Sequence, residues 1–379
     1  MRTFKYRMLP SKRQRTNLMR TLELCRLVYN STLATRKNAW EGEKRSVSLY
    51  DTNKMLTSWK CEYPELRQVH SQVSQNVQER VDLAFQSYFR RVKEGADKVG
   101  YPRFKSYGRY DSFTFKQSGF ELLDNGLMVS KIGVLKIVQH RPIEGRIKTL
   151  NIERDTVGNW YTCFACEVEP TALPFNDLVV GIDVGLKTFA TLSNGVTVDN
   201  PRFFRRDEVE LGRAQRRWDK DKTSKRRKVI AHIHQRIANR RKDFAHKLSR
   251  ELVNAYGAIF FENLSIKNMM QNQHLAKSIG DAAWNQLIQY TQYKAVNAGR
   301  VCELVDPHGT SQRCSGCGSV VAKDLSVRVH GCPACGLVMD CDLNAAINIE
   351  SLGLETLGSA QHTLRSALEA PARFAMRGE

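Results

Sequence analysis

The chain has 379 residues, 41% of them hydrophobic, enough to bury at least one full core and to form two or three domains. Lys and Arg number 59 against 39 Asp and Glu, a formal charge of +20, and such an excess points to a polyanionic partner, nucleic acid before membrane. No run of about 18 apolar residues exists and the start, Met1-Arg-Thr-Phe-Lys5, lacks the apolar segment of a signal peptide, so a soluble intracellular protein is expected, with its ten cysteines in metal sites or as buried thiols before disulfides.

Thr3–Leu9 alternates polar and apolar residues and reads as a strand. Helical sequence opens at Ser11 and runs with interruptions to Val92. Leu22, Leu24, Val28, Tyr29 and Leu33 form an apolar face near its start, and Val77, Val81, Ala84, Phe85, Tyr88 and Phe89 form another near its end. Gln72, Gln75, Asn76 and Gln78 occupy the earlier turns of that last stretch. An amide-rich helix can read base edges in a groove, and a solvated face is the equal alternative.

From Gly100-Tyr-Pro-Arg-Phe-Lys105 to Glu169 the pattern changes to short strands: Phe113–Phe115, Gly133–Val138, Ile147–Ile152 and Trp160–Val168. With Thr3–Leu9 they suggest a small β-barrel into which the helices of residues 11–95 are inserted. Cys163 and Cys166 are three apart on a strand, so they face opposite ways and read as buried thiols rather than a metal motif.

Leu178-Val-Val-Gly-Ile-Asp-Val-Gly-Leu186 is an apolar run of strand length with one carboxylate, Asp183, in its middle. An unpaired carboxylate there is costly to bury and calls for a cation or a hydrogen-bonding partner. The alternative is an Asp that caps a turn at a strand end, and on one carboxylate alone the two stand level. Asn194-Gly195 between two extended runs marks a hairpin, and a central strand passing into a hairpin is how a ribonuclease-H-like sheet begins.

Residues 201–250 then hold 18 Lys and Arg against 6 Asp and Glu, so +12 of the +20 lies in this segment. No glycine or proline interrupts it between Gly212 and Gly257, and Ile230, Ile233, Ile237, Phe244, Leu248 and Leu252 fall on one helical stripe. One or two long helices are expected. Arg213, Arg216, Arg217, Lys225, Arg226, Arg227 and Lys228 lead into the stripe, and the excess of one sign favours a phosphate-binding surface over a plain solvated face. Ala258-Ile-Phe-Phe-Glu262 follows as a strand ending in a second carboxylate, then helix over 274–299 and strand over Val301–Val305.

Cys314-x-x-Cys317 and Cys332-x-x-Cys335 are separated by 14 residues, each pair followed by glycine, Gly318 and Gly336. Two such knuckles offer four thiolates to one tetrahedral ion, a structural zinc ribbon with a closed shell; His308 and His330 are bystanders. Directly afterwards Asp340-Cys-Asp342 opens a helix. One Asp suits an N-cap, and two in three residues exceed what a cap needs. The tail after Leu352 is rich in Gly, Ser and Ala and reads as poorly ordered.

Asp183 on a first strand, Glu262 at the end of a parallel one and Asp342 at a helix start converge at one edge of a ribonuclease-H-like sheet. Three acids held together repel one another unless cations lie between them, and two magnesium or manganese ions about 4 Å apart meet that need while hydrolysing a phosphodiester. The ribbon, placed before the last acid, would brace the helix carrying Asp342.

Gly181-Ile-Asp-Val-Gly-Leu-Lys187, Phe261-Glu-Asn-Leu264, Asp306-Pro-x-x-Thr-Ser-Gln-x-Cys-x-x-Cys-Gly318, Cys332-Pro-x-Cys-Gly336, Asp342-Leu-Asn-Ala-Ala-Ile-Asn-Ile349 and Gly100-Tyr-Pro-Arg-Phe-Lys105 together resemble the TnpB family of transposon-encoded RNA-guided DNA nucleases, related to type V CRISPR effectors. The resemblance spans nearly the whole chain. It implies a multidomain α/β plus β-barrel protein: a wedge β-barrel (1–10 and 96–175), a helical recognition lobe (11–95), a ribonuclease-H-like RuvC nuclease (176–309 and 341–352) with an inserted zinc ribbon (310–340), and a tail (353–379). Asp183, Glu262 and Asp342 match the RuvC-type acids, and the four cysteines match the zinc ligands. Guide RNA and double-stranded target DNA are the implied partners of a monomer in a ribonucleoprotein, cytoplasmic and nucleoid-associated. Arg103 and Lys105 join the basic segment as nucleic-acid contacts, and Tyr50, Asn53, Gln72, Gln75 and Asn76 are candidates for reading a short motif beside the target. Cys341 departs from the family, which commonly has Arg between the two acids. A cleavage-inactive guided repressor would lack one or more acids, and a strand-transferring transposase would order them Asp, Asp, Glu, whereas this chain has Asp, Glu, Asp. A compact CRISPR effector with the same chemistry is a further alternative.

Overall fold

The computed structural model describes residues 1–369 apart from Asn125, Leu325 and Ser326, with side chains to Gly358. Its contacts divide it into two units, Met1–Glu169 and Pro170–Glu379.

The first unit begins with β1 (Arg2–Met8). α1 (Lys12–Glu43), α2 (Leu49–Glu62), a 3₁₀ turn (Pro64–Gln68) and α3 (Ser71–Lys93) follow, then β2 (Ser112–Phe115), β3 (Phe120–Leu123), β4 (Gly126–Val129), β5 (Gly133–Leu135), β6 (Ile137–Val138), β7 (Arg146–Arg154) and β8 (Trp160–Glu167). One antiparallel sheet has the order β2-β7-β8-β1-β6, and a second joins β3, β4 and β5. α1 opens on a capping box in which Ser11 and Gln14 bond each other's backbone, and α2 repeats it with Ser48 and Asp51. Alternate residues Phe4, Tyr6 and Met8 of β1 point into the core. There they meet Phe113, Leu150, Trp160 and Phe164 from the sheet, and Leu22, Val28, Val77 and Val81 from the helices. Helices 11–95 and the flanking strands therefore share one core.

Gly133–Val138, expected as one strand, is two. Leu135 pairs with Leu127 in the small sheet, whereas Ile137 pairs with Met8 in the large one, so the chain changes sheets at Lys136. Strands β3 and β4 were not anticipated, because neither shows clean alternation of apolar and polar residues. Cys166 is buried on β8 and Cys163 lies on its other face.

The second unit contains β9 (Val179–Val184), β10 (Thr188–Leu192), β11 (Thr197–Asp199), α4 (Phe203–Lys220), α5 (Ser224–Ala255), β12 (Ala258–Glu262), α6 (Ile266–Met269), α7 (Ala276–Ala282), α8 (Trp284–Asn297), β13 (Val301–Val305), β14 (Val329–Gly331), β15 (Val338–Asp340) and α9 (Cys341–Glu369). Its main sheet is mixed, ordered β11-β10-β9-β12-β13, with β9, β12 and β13 parallel and the β9–β10–β11 edge antiparallel. Such strands carry helices on both faces, which is why they read as unbroken apolar runs. Val180, Ile182, Ile259 and Phe261 pack towards Leu252, Leu287 and Ile288 of α5 and α8. The alternate residues Val179, Ala258 and Phe260 pack against Ile349 of α9.

Two glycines let α9 lie close. A Cβ on Gly181 would sit 2.2 Å from the Ala346 carbonyl oxygen, and one on Gly353 would sit 2.2 Å from the Phe260 ring. α9 runs on to Glu369, past the boundary at residue 352 that composition suggested, because no proline stops it and Leu352 and Leu357 pack on the sheet. Positions 370–379 of the expected tail lie outside the described residues. The helix expected over 274–299 breaks at Ala283, whose φ of 55° ends α7 before α8 begins at buried Trp284.

Candidate active site and metal centre

Strand register brings the first two acids together. Ile182 of β9 is paired with Phe261 of the parallel strand β12, so the next residue on each, Asp183 and Glu262, lies at the same level on adjacent strands. Side chains alternate along a strand, so Asp183 shares the face of Val179 and Glu262 that of Phe260, the face that α9 covers. Asp342, in the first turn of α9, lies near enough for its charge to act on Asp183, although the three acids do not gather as tightly as the four cysteines do. Asp340 supplies the N-cap, its carboxylate accepting from the Asp342 amide at 2.8 Å and the Leu343 amide at 3.2 Å, and this leaves the Asp342 side chain for another purpose.

Asp183 feels the other two charges. Burial first, then the Glu262 and Asp342 carboxylates, push Asp183 up to about 8. Burial also raises Glu262, against the pull of the Thr310 hydroxyl, which donates to its carboxylate. Burial and Asp340 raise Asp342, while Arg328, Lys187 and Lys323 draw it back down. Arg328 Nη1 stands 3.9 Å from Asp342 Oδ1. Carboxylates raised by burial, and in Asp183 also by its acidic neighbours, are a hard-oxygen donor set short of positive charge, and divalent cations of the magnesium class fit it.

The four cysteines meet beside α9. Among the described residues they form the group whose ligand atoms all lie within 4.8 Å of one another. Cys314 and Cys335 sulfurs are 3.6 Å apart, as are those of Cys317 and Cys332. Four sulfurs each about 2.3 Å from a tetrahedral ion stand roughly 3.8 Å apart, so the cluster fits zinc. Both glycines after the knuckles have left-handed backbone, φ 75° at Gly318 and 76° at Gly336, and their amides bond back to the Cys314 and Cys332 carbonyls. His330 is buried outside the cluster, its Nδ1 3.0 Å from Lys323 Nζ, and Cys341 is buried with its sulfur 3.4 Å from the same ammonium.

Sequence reasoning missed the residues that join the two centres. Asn344 of α9 accepts from the Ser315 amide at 2.9 Å and donates to the Arg313 carbonyl at 2.8 Å. One turn on, Asn348 donates to the Thr310 and Arg313 carbonyls at 2.8 and 2.7 Å. Both Asn are buried. Two asparagines four apart, among alanines and isoleucines on a helix, were the available signal.

The basic segment folds as the hairpin of α4 and α5. Arg213, Arg216, Arg217, Lys225, Arg227 and Lys228 are exposed, and Arg226 pairs with Asp221 at 3.3 Å. Other cations serve the fold: Arg236 and Arg240 converge on buried Asp207, and Arg241 on buried Asp281.

In the first unit, Arg103 and Lys105 lie in the coil before β2, where the Lys105 backbone is held by Asn30 and Arg26. Tyr50 and Gln75 are exposed, on α2 and α3. Gln72 accepts from the Gln117 and Ser118 amides at 3.0 Å, Asn76 is bonded to Glu79 and Arg80, and buried Gln78 donates to the Thr52 carbonyl at 2.7 Å. Asn53 Oδ1 is buried without a partner. Gln72, Asn76 and Gln78 are thus bonded within the protein, Gln78 alone of them buried.

Comparison with known proteins supports one family. Residues 163–273 match a family described as "Probable transposase", residues 284–349 a "Cas12f1-like, TNB domain", and residues 1–45 a "Helix-turn-helix domain", although here those last residues form one strand and one continuous helix. A protein of Streptomyces pristinaespiralis named as an RNA-guided DNA endonuclease is 37% identical over 366 residues, 93% of this chain and 89% of that one. Another, from Escherichia coli K12 and named RNA-guided DNA endonuclease InsQ, is 26% identical over 95% of this chain and 94% of its own. The solved structure of the mini-RNA-guided endonuclease CRISPR-Cas phi3 shares the fold at a TM-score of 0.50, with 9% identity and coverage of 93% and 92%. This chain belongs to the TnpB family.

Proposed function

We propose that the protein is an RNA-guided DNA endonuclease associated with a transposable element, which cuts target DNA beside a short adjacent motif by metal-dependent phosphodiester hydrolysis. The observation that carries this is the strand register that levels Asp183 with Glu262 at one end of the mixed sheet, together with the charges of Glu262 and Asp342 raising Asp183. The second unit is then a RuvC nuclease with an inserted zinc ribbon, and the first a wedge β-barrel with its recognition helices. Guide RNA and duplex DNA are its partners, in a monomeric ribonucleoprotein.

Two magnesium or manganese ions, when bound, would activate a water and stabilise the departing 3′ oxygen. The protein's part is to place the donors. Asp183 and Glu262 present carboxylates from neighbouring strands on one face, and Asp342 closes the set from α9. Thr310 fixes the Glu262 carboxylate and favours its charged form. Arg328 and Lys187, beside Asp342, offer positive charge to a phosphate. Zinc on Cys314, Cys317, Cys332 and Cys335 would hold the loop that Asn344 and Asn348 tie to α9. Base pairing with the guide would choose the sequence, leaving the protein to read backbone shape and the adjacent motif.

Purified protein with its bound RNA is expected to cut a duplex that pairs with that RNA, in magnesium and not in its absence, and Asp183→Ala is expected to abolish cutting. Equal cutting by Asp183→Ala would overturn the assignment.

A further inference from the structure

In the first unit a cavity of about 320 Å³ is lined by Asn17, Arg20, Thr21, Arg67, Gln68 and Lys131. The residues come from α1, the 3₁₀ turn and the β4–β5 turn, so no stretch of sequence advertises it. Its lining offers three cations and three neutral hydrogen-bonding side chains, and no carboxylate. That separates it from the larger cavity on the α4–α5 hairpin, where Glu210 and Asp221 sit among Arg213, Arg217, Lys225 and Arg226.

Four details sharpen the difference. Ion pairs between described residues of this unit engage other cations, such as Arg2 with Glu144, Arg36 with Asp82 and Lys116 with Glu79. The Arg67 guanidinium is held by a bond from Nε to the Lys60 carbonyl at 3.2 Å and a weak one from Nη2 to the Cys61 sulfur at 4.0 Å. Lys131 has φ of 68°, a left-handed conformation that Gly or Asn would adopt with less strain, so the tight turn carries a cation at a cost of about 1 kcal/mol. The local potential is positive: burial and then Lys131 and Lys60 hold the nearby His70 imidazole below its ordinary value.

We infer that this pocket grips a backbone phosphate of the bound nucleic acid. It rests on the nucleic-acid function proposed above and adds a contact outside the nuclease unit. A phosphodiester monoanion finds no opposing carboxylate here, and the guanidinium of Arg67 matches phosphate geometry. Because the contact is with backbone, it adds affinity and register without sequence preference.

The test uses the full chain, with labelled duplex DNA and labelled RNA of arbitrary sequence titrated over a range of salt. Arg20→Gln, Arg67→Gln and Lys131→Gln change exposed side chains and are expected to leave the melting temperature unchanged. Each should weaken binding evenly across sequences and reduce the salt slope, log K against log salt, by about one for the strand that the pocket grips. Wild-type slopes in all three variants, for both nucleic acids, would overturn the inference while leaving the nuclease proposal intact. Protection of the wild type by inorganic phosphate, lost in the variants without any change in slope, would mark a small-anion site and overturn it equally. Failure of the wild type to bind either nucleic acid would bring down both proposals.

Discussion

The carboxamide of Asn344, in the second turn's reach of Asp342 on α9, accepts the amide hydrogen of Ser315 at 2.9 Å, one residue beyond Cys314. With Asn348 it fastens the first cysteine knuckle to the helix that carries the third acid. The cysteine loop and the helix that carries Asp342 are therefore mechanically joined, and disturbing one should be felt at the other.

Asn348→Ala is expected to lower stability by about 1–3 kcal/mol, since it takes a donor from the Thr310 carbonyl in a buried bond and leaves the Arg313 carbonyl to Asn344 alone. Zinc content measured by atomic absorption should stay at one per chain while cutting falls. Loss of zinc in step with cutting would show instead that the asparagine acts only through the knuckle.

Thr310→Val removes the hydroxyl that Glu262 accepts from. Removing such a support behind a metal ligand costs about 10–100-fold in metal affinity or activity. The variant should need more magnesium for half-maximal cutting, and Thr310→Ser should restore it. An unchanged magnesium dependence in Thr310→Val would remove Thr310 from the site.

Asp183 makes the metal-free protein sensitive to pH. Its pKa rises from 3.8 to about 8 on folding, so the folded state holds a proton that the unfolded chain releases across that window. The contribution is complete below the unfolded value and is lost as pH climbs through the folded one. Without divalent cations the melting temperature should fall between pH 5 and 8. Asp183→Asn, which has no charge to bury, should flatten that fall and melt higher than wild type at pH 8. Saturating magnesium should narrow the gap in melting temperature, because bound cations favour the carboxylate.

Gly181→Ala places a methyl 2.2 Å from the Ala346 oxygen and 2.4 Å from the Glu350 nitrogen, both backbone atoms that cannot swing aside. Overpacking of this kind costs about 3 kcal/mol, and α9 must shift with Asp342 on it. Thermal melting and the cutting rate should both fall, with cutting lost even well below the new melting temperature.

The cations of the α4–α5 hairpin should separate into two groups. Arg213→Gln and Lys225→Gln should reduce the salt slope of nucleic-acid binding at unchanged stability. Arg236→Gln and Arg240→Gln should lower stability, because they leave buried Asp207 short of partners. Net charge alone would make the four variants alike.

What the sequence determined on its own was the chemistry that neighbours in the chain can express. The four cysteines and their glycines sit at spacings that dictate two knuckles, the Asn194-Gly195 turn dictates a hairpin, and the apolar runs at β9 and β12 dictate strands covered on both faces. The three acids stood out as carboxylates in places that local structure did not require, and the excess of positive charge marked a polyanionic partner. Tertiary structure alone decided which residues serve those features: the pairing of Ile182 with Phe261 that levels Asp183 with Glu262, the Thr310 hydroxyl behind Glu262, the Asn344 and Asn348 ties, and the meeting of Arg20, Arg67 and Lys131. It also spent Arg236, Arg240 and Arg241 on buried carboxylates, buried Gln78, and bonded Gln72 and Asn76 to neighbours in the same unit. The reason is physical: spacing along the chain fixes periodicity and short-range geometry, whereas partners tens or hundreds of residues apart are chosen by strand register and by which helix covers which face.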